Sequence, residues 1–270
     1  MPQLVTFSTL AGSPVHYDRE AGAYGYGSRG RHVAGWRLTA ATRRVAEEAF
    51  AELWARHPRG QAEIILTAGT YPGMGTGAHA AGIAIDLDGL WWPGGYRLLT
   101  SEYPQNRIEY LGVESILRRH FGVVLGWHTN AAHHDHLHCD RGEPVEFRTG
   151  SGSRVGYLRA SLAVVHGVAV EQGHEWHPAL RDRLTDAGLP DVTAGLSAWL
   201  EYLDVTADRA LRPLSPPVEP PVPSNPLELL HGVYAAVNEL RPTGLAKGVE
   251  ASLNQFSGDE ATQAWLEQWR

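Results

Sequence analysis

The chain of 270 residues has a single cysteine, Cys139, so it can form no internal disulfide and cannot build a thiolate zinc finger. Any metal site must therefore rest on histidine and carboxylate. No long run of Lys and Arg breaks a composition whose formal net charge is −7, which argues against nonspecific nucleic-acid binding. No stretch approaches the roughly 18 apolar residues that a membrane span needs. The opening MPQLVTFSTLAGSPVHYDRE lacks the basic and apolar regions of a secretory signal. The expectation is a product made in the cytoplasm that reaches a cell wall, if that is its target, by release or delivery.

What is present suffices for a packed core. Hydrophobic residues make up 43% and charged residues 20%. The length suits a domain of about 150 residues with a smaller unit, or one large domain. Residues 1–37, rich in Gly, Tyr and Ser, read as short strands and loops. TAATRRVAEEAFAELWARH then places Val45, Ala49, Leu53 and Trp54 on one helical stripe, with Thr39 or Thr42 as cap and a stop at His57-Pro58. AEIILTAG (62–69) and GIAIDLDG (82–89) read as strands around a glycine-rich loop, and WWPGGYRLL (91–99) as a turn into a third. Residues 105–122 read as a helix and 123–127 as a short strand.

After Gly142 the composition shifts. Residues 1–148 are expected to form the first domain and 149–211 a helical region that binds a wall or docks to a carrier. The proline-dense 212–226 is expected to be an extended linker, and 227–270 a helical tail. The fold class expected is α+β, with a small antiparallel sheet and flanking helices, followed by a helical C-terminal region.

Chemistry concentrates in two segments. Five of the 14 histidines fall between His128 and His138, in HTNAAHHDHLHCD. Earlier, GAHAAGIAIDLDG places His79 and Asp86 seven positions apart. As a strand, DHLHCD turns His136, His138 and Asp140 to one face and Leu137 and Cys139 to the other. His79, Asp86 and His138 then make the ligand set of a catalytic zinc site with one open position. His136 falls beside the metal, suited to proton transfer or oxyanion stabilisation, and Asp135 is a rival general base.

These residues also carry a family resemblance. Residues 78–87, AHAAGIAIDL, resemble the S-x-H-x-x-G-x-A-x-D-[IVL] signature of zinc D-alanyl-D-alanine peptidases, the superfamily of lysostaphin-like endopeptidases and hedgehog. LRRHFGVVLGWHTNAAHHDHLHCD resembles the V-L-G-P…H-x-x-H-x-H-x-D motif of its extensin-like C-terminal domain branch. The resemblance spans roughly residues 30–142. It implies a zinc-dependent peptidoglycan peptidase acting on stem peptides or crosslinks, such as a lysin or delivered effector. It assigns metal ligation to His79, Asp86 and His138, catalysis to His136, and a second-shell or cleft position to His133. Family members often carry an arginine before the ligand histidine; Tyr71-Pro72-Gly73-Met74 has none, which leaves Arg29, Arg31 and Arg37 as replacements. Asp135 stands where the family has glutamate, so the base is Asp135 or His136.

Other readings compete. A non-catalytic member would keep the metal for stability and use its cleft as a binding module; a nuclease is disfavoured by the acidic balance. His128 and Asp140 read as structural, Asp88 as capping a turn, and Cys139 as a small buried hydrophobe. Trp91 and Trp92 read as packing rather than as a glycan cleft, and His166, His174 and His177 as no second metal site.

Overall fold

A computed structural model describes residues 3–17, 27–73 and 75–212. The expected linker from 213 onward and the tail at 227–270 lie outside the described residues. The fold is α+β, and three small sheets hold its strands.

Strands β1 (Leu4–Phe7) and β5 (Trp36–Thr39) pair antiparallel at the domain's start. A six-stranded sheet collects β2 (Thr9–Leu10), β3 (Ser13–Tyr17), β4 (Arg31–His32), β6 (Ile64–Thr67), β8 (Gly89–Trp91) and β9 (Arg97–Leu99). Its pairs are antiparallel except β3 with β6, which run parallel. The third sheet, β10 (Val123–Leu125), β11 (Leu137–Asp140) and β7 (Ala84–Leu87), is wholly antiparallel. The run expected as one strand at 82–89 is thus two strands in two sheets, parted at Asp88. Asp88 is buried at the crossing; its N–H donates to Leu66 and its carbonyl accepts from Thr100.

Helix α1 (Ala40–Arg56) starts where the Thr39 hydroxyl accepts from the Thr42 N–H. Pairs four residues apart, Arg43–Glu47 and Arg44–Glu48, line its outer side, while a third, Glu52–Arg56, faces the helices packed on α1. Its buried stripe is Ala46, Ala49, Phe50, Leu53 and Trp54; Val45 lies at the edge of that stripe rather than within it. After the short α2 (Gly77–Ala80) comes α3 (Arg107–His120), which is buried along most of its length.

Helices α4 (Gly152–Val164), α5 (Ala179–Asp186) and α6 (Leu196–Ala210) complete the described chain. They share one buried cluster with the sheets and with α1 and α3: Tyr157, Leu158, Leu184, Trp199 and Leu203 join Leu53, Leu111, Ile116 and Leu137. The helical region expected after residue 148 is therefore built on the same core as the residues before it, and residues up to Arg212 form one compact unit. Charge ties the helices together as well. Arg56 of α1 reaches Asp204 (2.6 Å) and Asp208 (2.7 Å) of α6, while Arg119 and His120 of α3 both reach Glu52 (2.8 and 2.7 Å). No helix among the described residues is long and apolar enough to cross a membrane.

Candidate metal centre

The register of the three-stranded sheet sets the site. His138 of β11 stands directly opposite Asp86 of β7, and Cys139 opposite Ile85. Successive side chains alternate between faces, so Leu137 and Cys139 enter the core while His138 and Asp86 turn outward together. His79 comes from α2, on the loop that returns to β7. That return depends on Gly82, whose φ is +68° and where a Cβ would meet Leu4 Cδ2 at 2.5 Å. The Gly82 carbonyl accepts from the Thr39 N–H at 2.9 Å, which anchors the loop to the end of β5.

Three atoms converge. His79 Nε2 lies 3.1 Å from Asp86 Oδ1 and 3.1 Å from His138 Nδ1, and His138 Nδ1 lies 2.9 Å from Asp86 Oδ1. Tetrahedral ligands about 2.0–2.2 Å from an ion sit about 3.3–3.6 Å from one another, only a few tenths of an ångström wider than this triangle. Among the described residues, this is the group of His, Cys, Asp and Glu side chains able to hold a metal ion.

The outer partners fix which nitrogens are bare. His79 Nδ1 lies 2.8 Å from the Thr70 carbonyl, which can only accept, so its proton sits there and Nε2 presents a lone pair. His138 Nε2 lies 3.1 Å from Asp140 Oδ2, which leaves Nδ1 bare toward the cluster. Asp140 is held in turn by the Gly142 N–H at 2.6 Å. With both imidazoles neutral, two lone pairs and a carboxylate oxygen face one another, an arrangement that calls for a cation, a proton or a metal ion, between them. Without a metal ion, protons take that place. Burial opposes charge on Asp86, but hydrogen bonds from His138 and His79 hold its carboxyl well below the usual range. Burial likewise lowers His138, yet Asp140 and Asp86 outweigh it and lift the imidazole to about 9 when no metal is bound.

His136 flanks the triangle, with Nε2 3.9 Å from Asp86 Oδ1. Its Nδ1 lies 2.7 Å from Asp135 Oδ1, so Asp135 backs the imidazole rather than joining the triangle. The Asp135 carbonyl accepts from the Thr100 hydroxyl at 2.7 Å. The His133 ring lies 5.1 Å from that of His136 and 6.2 Å from that of His138.

His166 and Trp92 are engaged elsewhere in the fold. His166 Nε2 bonds the Thr206 hydroxyl at 2.9 Å, and Trp92 is buried, its ring stacked on His57 at 4.3 Å. Of the arginines, Arg29 pairs with Glu63 at 2.6 Å. Arg37 lies 5.0 Å over the Tyr71 ring, and its backbone N–H donates to the Thr70 hydroxyl at 3.4 Å. It is therefore one residue removed from the carbonyl that orients His79. Two partners escaped the sequence reading. The strand pattern puts Asp140 on the face of His138, two positions along, yet its residue type alone suggests only a structural role; the structure shows it bonded to His138 Nε2. The Thr70 carbonyl is backbone and leaves no trace in residue type. Comparison with protein-family models, curated proteins and solved structures finds no match.

Proposed function

We propose that the chain is a zinc-dependent hydrolase of amide bonds in bacterial cell-wall peptides. The observation that carries this reading is the close convergence of His79 Nε2, Asp86 Oδ1 and His138 Nδ1, with a partnered imidazole, His136, on its flank. Two imidazoles and one carboxylate suit zinc, and three protein ligands leave a position open for water or substrate. An ion held there supplies a Lewis acid for a carbonyl and makes water more acidic.

The chain's own residues supply the proton chemistry. The Asp135 carboxylate holds the proton of His136 on Nδ1 and leaves Nε2 as the acceptor facing the site. Nε2 takes a proton from attacking water and returns it to the leaving amine. This assigns the base to His136 and an orienting part to Asp135. His133, bonded through Nδ1 to Asn130 Oδ1 at 2.8 Å, lies with its ring 5.1 Å from that of His136.

The test is digestion of purified sacculi by the zinc-loaded full chain, followed by mass spectrometry of released fragments, with and without chelator. Peptide-bearing fragments that vanish with chelator are expected. His136→Ala should keep its zinc and lose about 10²–10⁴-fold in rate. Failure of the zinc-loaded protein to release any peptide overturns the reading, and a wall-binding function untouched by His136→Ala marks a non-catalytic module instead.

A further inference from the structure

The loop that carries His133 also walls an open cavity of about 750 Å³, a size typical of small-ligand sites. Three rings follow one another along it: Tyr103 lies tilted against Trp127 at 5.5 Å between centroids, and Trp127 stacks on His134 at 4.1 Å. Arg107, Asn130 and Gln172 add polar groups to the lining, and no lining residue is acidic, although the chain as a whole carries a net charge of −7. Arg107 is exposed in the first turn of α3. Its Nε donates only to the Pro104 carbonyl, at 3.3 Å, and no carboxylate among the described residues pairs with it. A guanidinium without a counterion, set in a lining free of acids, is suited to bidentate capture of a carboxylate.

The cavity is linked to the metal centre. Asn130 lines it and also holds His133, whose ring lies 5.1 Å from that of His136. A ligand lodged against Asn130 and His134 is therefore joined by one short chain of contacts to the group assigned to proton transfer.

We infer that this cavity is a second binding site, for a carboxylate-bearing, amide-rich ligand. Arg107 grips the carboxylate, Asn130 and Gln172 bond the amides, and the rings of Tyr103, Trp127 and His134 cover the apolar side. The inference rests on the wall-hydrolase reading only for where such a ligand comes from. Two sources share the chemistry: the lactyl carboxylate of a muramyl sugar and the acidic residues of a stem peptide.

Calorimetric titration of the full chain tests this with three probes: N-acetylglucosaminyl-N-acetylmuramic acid, the tripeptide L-Ala-γ-D-Glu-L-Lys, and neutral chitobiose. Each is titrated with zinc present and again in chelator. At least one acidic probe should bind under both conditions, and more tightly than chitobiose; whichever acid binds identifies the source. Arg107→Gln, an exposed change that leaves the core untouched, should weaken that acid about tenfold and leave chitobiose unchanged. Gln172→Ala should weaken it less. The inference is overturned if neither acid binds, if the acid binds only when zinc is present, or if Arg107→Gln leaves its affinity intact. Sacculus hydrolysis does not enter these outcomes, so a failed digestion leaves the cavity's assignment standing, and the converse holds too.

Discussion

Asp86 and His138 stand opposite each other on antiparallel β7 and β11, with Oδ1 2.9 Å from Nδ1 and no residue of the sheet between them. The contact joins a carboxylate to an imidazole whose other nitrogen is already engaged by Asp140. Such a pair gains from a cation that binds the folded chain and not the unfolded one. Zinc at about 100 times its dissociation constant should raise stability by about 2.7 kcal/mol. For a unit of this size that is about 5–10 °C in Tm by calorimetry. Asp86→Asn should remove both the shift and stoichiometric metal uptake measured by elemental analysis.

Asp140 sets the orientation of His138 from the far side of the ring, through Nε2. Asp140→Asn should keep the fold and lower metal affinity about 10–100-fold, read by competition with a chromophoric chelator. Unchanged affinity would show that the strand alone holds the imidazole in place.

Acid should loosen the helical side of the molecule at Glu52. Burial would raise its carboxyl, but the hydrogen bond from His120 and the charges of Arg119 and Arg56 outweigh this and hold it down, from 4.5 to about 2. A depressed folded-state pKa means stability that is present in full above the unfolded value and is lost as pH falls from about 4.5 towards 2. The loss should be about 1–3 kcal/mol, discounted because the side chain is partly exposed. Denaturant titrations of Glu52→Gln across that window should show a flatter pH dependence than the parent chain.

At Gly82 the backbone is left-handed, with φ +68°, and a Cβ would collide with Leu4. Gly82→Ala should cost about 1–3 kcal/mol. Each kcal/mol corresponds to about 2–4 °C in Tm for a domain of this size. Because the residue lies between His79 and Asp86, metal affinity should fall together with Tm. A variant that keeps both would mean the loop reaches the triangle by another path.

Much of the site was legible in the sequence because the features concerned are local. Alternation along DHLHCD is enough to put His138 and Asp140 on one face and Cys139 in the core, since a strand's side chains repeat every two residues. Helix α1 was legible from its period and its threonine cap: Ala49, Leu53 and Trp54 lie in its buried stripe, Ala46 and Phe50 complete it, and Val45 packs against it only in part. The α+β class followed from the same patterns.

By itself, then, the sequence determined which residue types were available: one cysteine, no thiolate cluster, and an His/Asp set at spacings a strand and a loop can bring together. Tertiary structure decided the rest. It set the register that puts His138 opposite Asp86, where a slip of one residue would have turned the imidazole into the core. It placed the Thr70 carbonyl behind His79 and Asp135 behind His136, and it seated α4 to α6 on the common core. These depend on atoms far apart along the chain, or on backbone groups that every residue shares, and burial of apolar surface chooses among such pairings only when the whole chain has collapsed.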